Sequence, residues 1–177
     1  YEKLMNDIKE ILSKHKKIAM IGVSNDPTKA STIVMKYMQK YGFKVFPVNP
    51  KAKGQKILGE EVFEKITDIK DQVDIVDVFR PSTEALEIAK DTVKIGAKVL
   101  WLQLGIKSQE AKNIVEKNKI EYVEDKCTKM EYQTHFLKIR QAFPVLTNKW
   151  LKNLKFQNKQ QFWLLLLMVM YPWRLSK

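Results

Sequence analysis

The chain has 177 residues, 45% of them hydrophobic, with six glycines, six prolines and one cysteine, enough for one domain with a real core and perhaps an appendage. That composition excludes collagen-like and disordered classes, and the lone cysteine excludes an internal disulfide framework. The formal charge of +12 suggests a nucleic-acid or membrane partner until its distribution is seen: residues 1–136 hold 24 of the 32 basic and all 20 acidic residues.

Residues 2–14 predict a lead-in helix, with Leu4, Ile8, Ile11 and Leu12 at helical spacing. The run KIAMIGV (17–23) is apolar throughout, as a strand covered on both faces requires. A helix follows over 31–42, ended by Gly42, and FKVFPVNP (43–50) reads as a second strand interrupted by prolines. A polar and amphipathic stretch with a turn at Gly59 leads to a third strand, DIVDVF (74–79). Helix 82–96, strand 97–105, helix 108–118 and strand 120–125 complete the series. Strands and helices alternate with crossovers long enough for parallel pairing. The expected fold is therefore a Rossmann-like, doubly wound α/β sheet of about five parallel strands in three layers.

In such sheets ligands bind outside the carboxyl ends of the strands. Those ends read GVSNDP, PVNP, VFRPS and LQLG. The first turn offers Gly22, the Ser24 hydroxyl and a helix N-terminus suited to an anion, with Lys29 and Ser31 placed for a phosphate. It reads equally as an ordinary turn with capping residues. A dinucleotide site would add G-x-G-x-x-G and an acid closing strand two for the ribose diol. Here strand two closes on Val48-Asn49-Pro50-Lys51, so NAD is disfavoured. Arg80, the sole arginine before residue 137, follows the third strand either as a surface cation or as a phosphate clamp. Gln103 and Gly105 offer an amide and close backbone approach, whereas Trp101 reads as core.

Signals for catalysis are sparse. His15 and His135 flank the sheet sequence, and the strand residues Asp74 and Asp77 face opposite ways. Cys127 reads as packed rather than catalytic, and no metal-ligand spacing, nucleophile elbow or Walker motif occurs. A single cysteine and no recognisable secretory signal at the Tyr1 start fit a reducing compartment, the cytoplasm or an organelle matrix. Only three arginines accompany 29 lysines, so the surplus reads as a solvated surface and no nucleic-acid partner is expected.

Taken together, GVSNDPTKAS, GFKVFPVNPKAKGQKILGEEVF, VDIVDVFRPS, IGAKVLWLQLGI and EYVEDKCTKMEY resemble the CoA-binding domain family over roughly residues 10–136. These are small stand-alone proteins related to the nucleotide-binding domain of the succinyl-CoA synthetase alpha subunit. The resemblance implies coenzyme A as cofactor, with Gly22, Val23, Ser24, Lys29 and Ser31 beside it. It also implies Asn49, Pro50 and Lys51, then Val78, Phe79 and Arg80, along its nucleotide and pantetheine, and Gln103, Leu104 and Gly105 closing the crevice. The family's usual DRC stands here as Asp125-Lys126-Cys127. Catalysis in the synthetase relatives needs a histidine from another domain, so non-catalytic binding of CoA or an acyl-CoA is expected. The alternatives are a subunit or relative of a CoA-dependent ligase or transferase, and an NAD-type redox domain.

Residues 137–177 have no counterpart in the resemblance and hold eight basic residues and no acid. They read either as a basic, aromatic appendage suited to a membrane surface or partner, or as a mistaken end of the gene. Their apolar run 162–171 is half the roughly 20 residues of a spanning helix.

Overall fold

Each apolar run expected as a strand joins one sheet in the structure, a computed structural model that describes residues 2–137. The expected tail lies outside the described residues, Leu137 excepted. In chain order the elements are α1 (Glu2–Lys14), β1 (Lys17–Ile21), α2 (Ala30–Lys40), β2 (Lys44–Val48), β3 (Lys56–Ile57), β4 (Glu60–Glu61) and β5 (Ile75–Val78). They continue with α3 (Ala85–Lys94), β6 (Val99–Leu102), α4 (Gln109–Lys117), β7 (Glu121–Val123) and α5 (Thr128–Phe136). Five parallel strands run in the order β2-β1-β5-β6-β7, so strand order reverses between β1 and β5. This is the Rossmann-like α/β fold. Among the described residues no helix is long and apolar enough to cross a membrane.

Alternation along the strands assigns the two faces. Ile18, Met20, Val45, Ile75, Val99 and Trp101 face α1, α2 and α5, together with Ile8, Leu12, Met35 and Met38. Ala19, Phe46, Val76, Val78, Leu100 and Leu102 face α3 and α4 through Ala85, Ala89, Ala111 and Val115. The strands end earlier than the apolar runs because Gly22, Pro50 and Gly105 turn the chain at their carboxyl ends. β3 and β4 form a small antiparallel hairpin within the stretch after strand two. Beyond it Phe63 bridges in parallel to Val48 and donates its N–H to the Pro47 carbonyl at 2.9 Å. Pro47 fits β2 because that strand lies at the sheet edge.

Helix α5 was not expected from the sequence. Tyr132 stacks on Phe136 at 4.7 Å and meets Tyr41 and Phe43 at 5.0 and 5.7 Å, which fastens α5 over the sheet. At its first residue Thr128 closes a buried polar triangle. Gln103 Nε2 donates to Asp77 Oδ1 at 2.7 Å and to Thr128 Oγ1 at 2.8 Å, and the Thr128 hydroxyl donates to Asp77 Oδ2 at 3.0 Å. All three residues are buried, and every donor in the triangle has an acceptor. Asp74, at the other end of the strand, accepts from the backbone N–H groups of Lys16 and Lys17.

Burial raises the Asp77 carboxyl to about 7, and the two side-chain hydrogen bonds only partly oppose that rise. A carboxyl whose native pKa exceeds its unfolded value of 3.8 contributes stability that is full below about pH 4 and lost as pH rises through about 7. Asp77→Asn removes this linkage while its amide can still accept from Gln103. Urea unfolding at pH 5 and pH 8 is expected to show the wild-type protein losing at least about 1 kcal/mol more than the variant between those values. Parallel pH profiles would contradict the assignment.

Candidate functional site

The carboxyl end of β1 is held on both sides. Gly22 donates its N–H to the Val48 carbonyl at 2.8 Å, and Phe79 donates to the Ile21 carbonyl at 2.9 Å. Gly22 has φ +88°, and a Cβ there would lie 3.0 Å from both the Phe79 carbonyl oxygen and Arg80 Cδ. Only glycine satisfies the backbone angle and the space together. The turn beyond it is braced locally: Ser24 donates its N–H to Ser31 Oγ at 3.3 Å, and Thr32 Oγ1 donates to the Ser24 carbonyl at 2.6 Å. Ser24 Oγ accepts from Asp26 N, while Asp26 Oδ1 accepts from both the N–H and the hydroxyl of Thr28. Helix α2 begins after Lys29 with no side-chain cap and no acid in its first turn, so its amino end favours an anion.

The end of β2 is fixed through Asn49. Its Nδ2 donates to the Val23 carbonyl at 2.8 Å and its Oδ1 accepts from Lys51 N at 3.0 Å, which joins the first two turns. Both ends of the amide are therefore committed within the fold. At the end of β5, Arg80 lays its Cδ against Gly22 and forks onto Glu84: Nε to Oε2 at 2.9 Å and Nη2 to Oε1 at 2.7 Å. The guanidinium holds the Glu84 carboxyl below the usual carboxylate range.

These three strand ends enclose a pocket of about 220 Å³. Gly22, Asn49, Pro50, Lys51 and Arg80 of the expected residues line it, together with Ile21 and Val48. The other walls are Glu64, Lys65 and Ile66 from the segment after the hairpin, and Glu84, Ile88 and Asp91 from the start and body of α3. Glu84 was detectable in the sequence as an acid four residues after Arg80. Nothing local marked Glu64 and Lys65, because the bridge between Val48 and Phe63 is what brings them beside β2.

The remaining expected residues stand apart from this pocket. Val23 and Val78 are fully buried in the core, and Phe79 packs against the α1, α2 and α5 face. Ser24 and Lys29 occupy the first turn and Ser31 lies buried in the first turn of α2, and none of the three lines the pocket. Gln103 is only 5% exposed and its amide serves Asp77 and Thr128 rather than the crevice. Leu104 is 56% exposed, and Gly105 donates its N–H to Asp125 Oδ1 at 2.8 Å, joining the ends of β6 and β7. His15 lies near Lys98 and Glu121 at the opposite end of the sheet. His135 sits beside Glu131 on α5, with Nε2 and Oε2 3.4 Å apart. Burial pushes the Cys127 thiol up, and the Asp77 charge adds to that effect. Among the described residues no cluster of three or more His, Cys, Asp or Glu could hold a metal ion.

Residues 16–133 match the model of a family described as the CoA binding domain. The chain belongs to that family. A Bacillus subtilis relative of the CoA-binding domain here, the uncharacterized protein YneT, is 33% identical over 126 residues, covering 71% of this chain and 92% of its own. A Thermus thermophilus structure, titled the structure of cell-free ID.343, has a TM-score of 0.72 at 32% identity and covers 75% of this chain and 98% of its own. The alpha subunit of a Pyrococcus furiosus ADP-forming acetate–CoA ligase is 30% identical over 95 residues, spanning 51% of this chain and 21% of the subunit. Part of this chain is thus similar to a segment of a longer ADP-forming ligase subunit.

Gly22→Ala tests the construction of the pocket. It is expected to lower unfolding stability by about 2 kcal/mol or more in urea, because the positive φ and the Phe79 carbonyl both oppose a Cβ. Gly59→Ala, with a similarly positive φ but open space around the added atom, should cost less. Equal losses at the two positions would remove the contact from the account.

Proposed function

We propose that this chain binds coenzyme A or an acyl-CoA without chemical turnover, at the carboxyl ends of β1, β2 and β5. The observation that carries the reading is the pocket at the reversal of strand order, with Gly22, Lys51 and Arg80 on its walls and Asn49 where a diol-binding acid would stand. CoA carries a diphosphate and a 3′-phosphate, which call for separate cations and an open helix N-terminus rather than a carboxylate after strand two. At about 220 Å³ the pocket suits one end of such a ligand, the remainder extending over the strand ends. In this reading Ser24 and Lys29 of the first turn, braced by the buried Ser31, and Leu104 and Gly105 after β6, flank the extended part. Val23, Val78 and Gln103 act through the core, by holding the turns that reach the ligand.

Family membership supports the choice of ligand. Placement speaks against turnover: burial raises the Cys127 thiol and Cys127 stands outside the pocket lining, and His15 lies at the amino ends of the strands. The resemblance to an acetate–CoA ligase subunit keeps a role as one part of a CoA-dependent ligase as the second reading. Product formation from an acyl-CoA panel would favour that reading.

Titration calorimetry with CoA, dephospho-CoA and NAD is expected to rank CoA first and NAD last. Arg80→Ala should weaken CoA binding roughly ten- to a hundred-fold, the loss of a charge-assisted hydrogen bond of about 1.5–3 kcal/mol. Lys117→Ala, on the exposed side of α4, should change it less than two-fold. NAD binding as tight as CoA, or equal effects of the two variants, would refute the reading.

A further inference from the structure

Three carboxylates line a pocket to which we assign an anionic ligand: Glu64, Glu84 and Asp91. Their situations differ. Glu64 is held by Lys53, with Nζ 2.7 Å from Oε2, and Lys53 lies outside the lining of this pocket. Glu84 instead takes both forked donors of Arg80, whose Cδ lies against Gly22. The geometry is the one a guanidinium adopts toward a phosphate, two parallel N–H···O bonds to a planar pair of oxygens. The arginine of the site is therefore occupied by an anion of the chain itself.

The backbone sets up this occupation. Pro81 and the tight turn Ser82–Glu84 place Glu84 four residues after Arg80, at the head of α3, where the helix dipole also favours a carboxylate. Both side chains remain nearly half exposed, 46% and 42%, so water can reach the pair and replace it at little cost. Exposed ion pairs of this kind contribute little to stability. The pair is strong enough to orient the guanidinium and weak enough to open.

We propose that Glu84 is a built-in competitor for the ligand's phosphate: it latches Arg80 in the free protein and must release the guanidinium when an anion enters the pocket. The assignment rests on the anion-binding reading of this pocket. Its consequence is that the length and charge of residue 84 set the affinity for the ligand's phosphate. Arg80 and Glu84 then act with opposite signs although they are hydrogen-bonded partners.

The test is titration calorimetry with two probes, CoA and inorganic pyrophosphate, on the wild-type chain and on Arg80→Ala, Glu84→Gln and Glu84→Asp. Glu84→Asp is the discriminating variant. It retains the charge but is one methylene shorter and loses the forked reach to Arg80. Release of the latch is expected to raise affinity roughly three- to ten-fold in Glu84→Gln and at least two-fold in Glu84→Asp, while Arg80→Ala lowers it. If only the net charge of the pocket matters, Glu84→Asp will bind as the wild type does, and the latch is overturned. A loss of affinity in Glu84→Gln overturns it as well, as does failure of pyrophosphate to bind any of the four proteins. Pyrophosphate following the expected pattern while CoA fails to bind supports the latch and refutes the CoA reading. Tight CoA binding that is indifferent to residue 84 keeps the CoA reading and removes the latch.

Discussion

At Gly22 the chain leaves β1 so close to the end of β5 that the Phe79 carbonyl and the Arg80 stem occupy the space a side chain would need. The site depends on this contact. It holds two turns together where strand order reverses, and it lays the aliphatic part of Arg80 over the glycine so that the guanidinium projects along the pocket wall. From there α3 begins almost at once, bringing Glu84, Ile88 and Asp91 to the same wall. Asn49 adds the third turn by donating its side-chain amide to the Val23 carbonyl, so the walls of the pocket are tied to one another through backbone bonds and one short, doubly held side chain.

The two faces of the sheet carry different duties. Toward α3 and α4 the helices present mainly alanines, Ala85, Ala89 and Ala111, to strand residues such as Phe46, Leu100 and Leu102. Toward α1, α2 and α5 lie the large groups, Trp101 and three methionines among them, and the buried carboxyl of Asp77. Trp101 donates its indole N–H to the Lys126 carbonyl at 2.7 Å, one residue before Cys127, so polar bonds as well as rings seat the start of α5.

The sheet and the position of its crevice were legible in the sequence because strands buried on both faces must be short apolar runs, and must stop where Gly, Pro or Asn turns them. Gly22, Asn49-Pro50-Lys51 and Arg80 could be placed at that crevice for the same reason. Gln103 misled: a polar residue ending a core strand reads as facing a ligand, yet it turns inward to serve Asp77 on the neighbouring strand. The signal was an aspartate in the middle of DIVDVF, which demands donors from whatever packs against it. Helix α5 left little trace because TKMEYQTHF shows no clean apolar stripe and its anchoring comes from rings stacked across elements. β3 and β4, at two residues each, are shorter than any periodicity can register. The pocket wall at Glu64 and Lys65 depends on a long-range bridge and had no local sign.

The bridge from Phe63 to Val48 also bears on how these molecules behave beside one another. A parallel sheet of five strands has two open borders, each a row of backbone groups able to recruit a foreign strand. On the β2 border Pro47 lacks an N–H, and its carbonyl already accepts from Phe63, while Asn49 donates to the Phe63 carbonyl. At the opposite border β7 is three residues long and begins with the exposed Glu121. The segment that completes the pocket wall therefore doubles as a guard rail, covering the carboxyl end of the longer border against strand-by-strand aggregation of neighbouring copies.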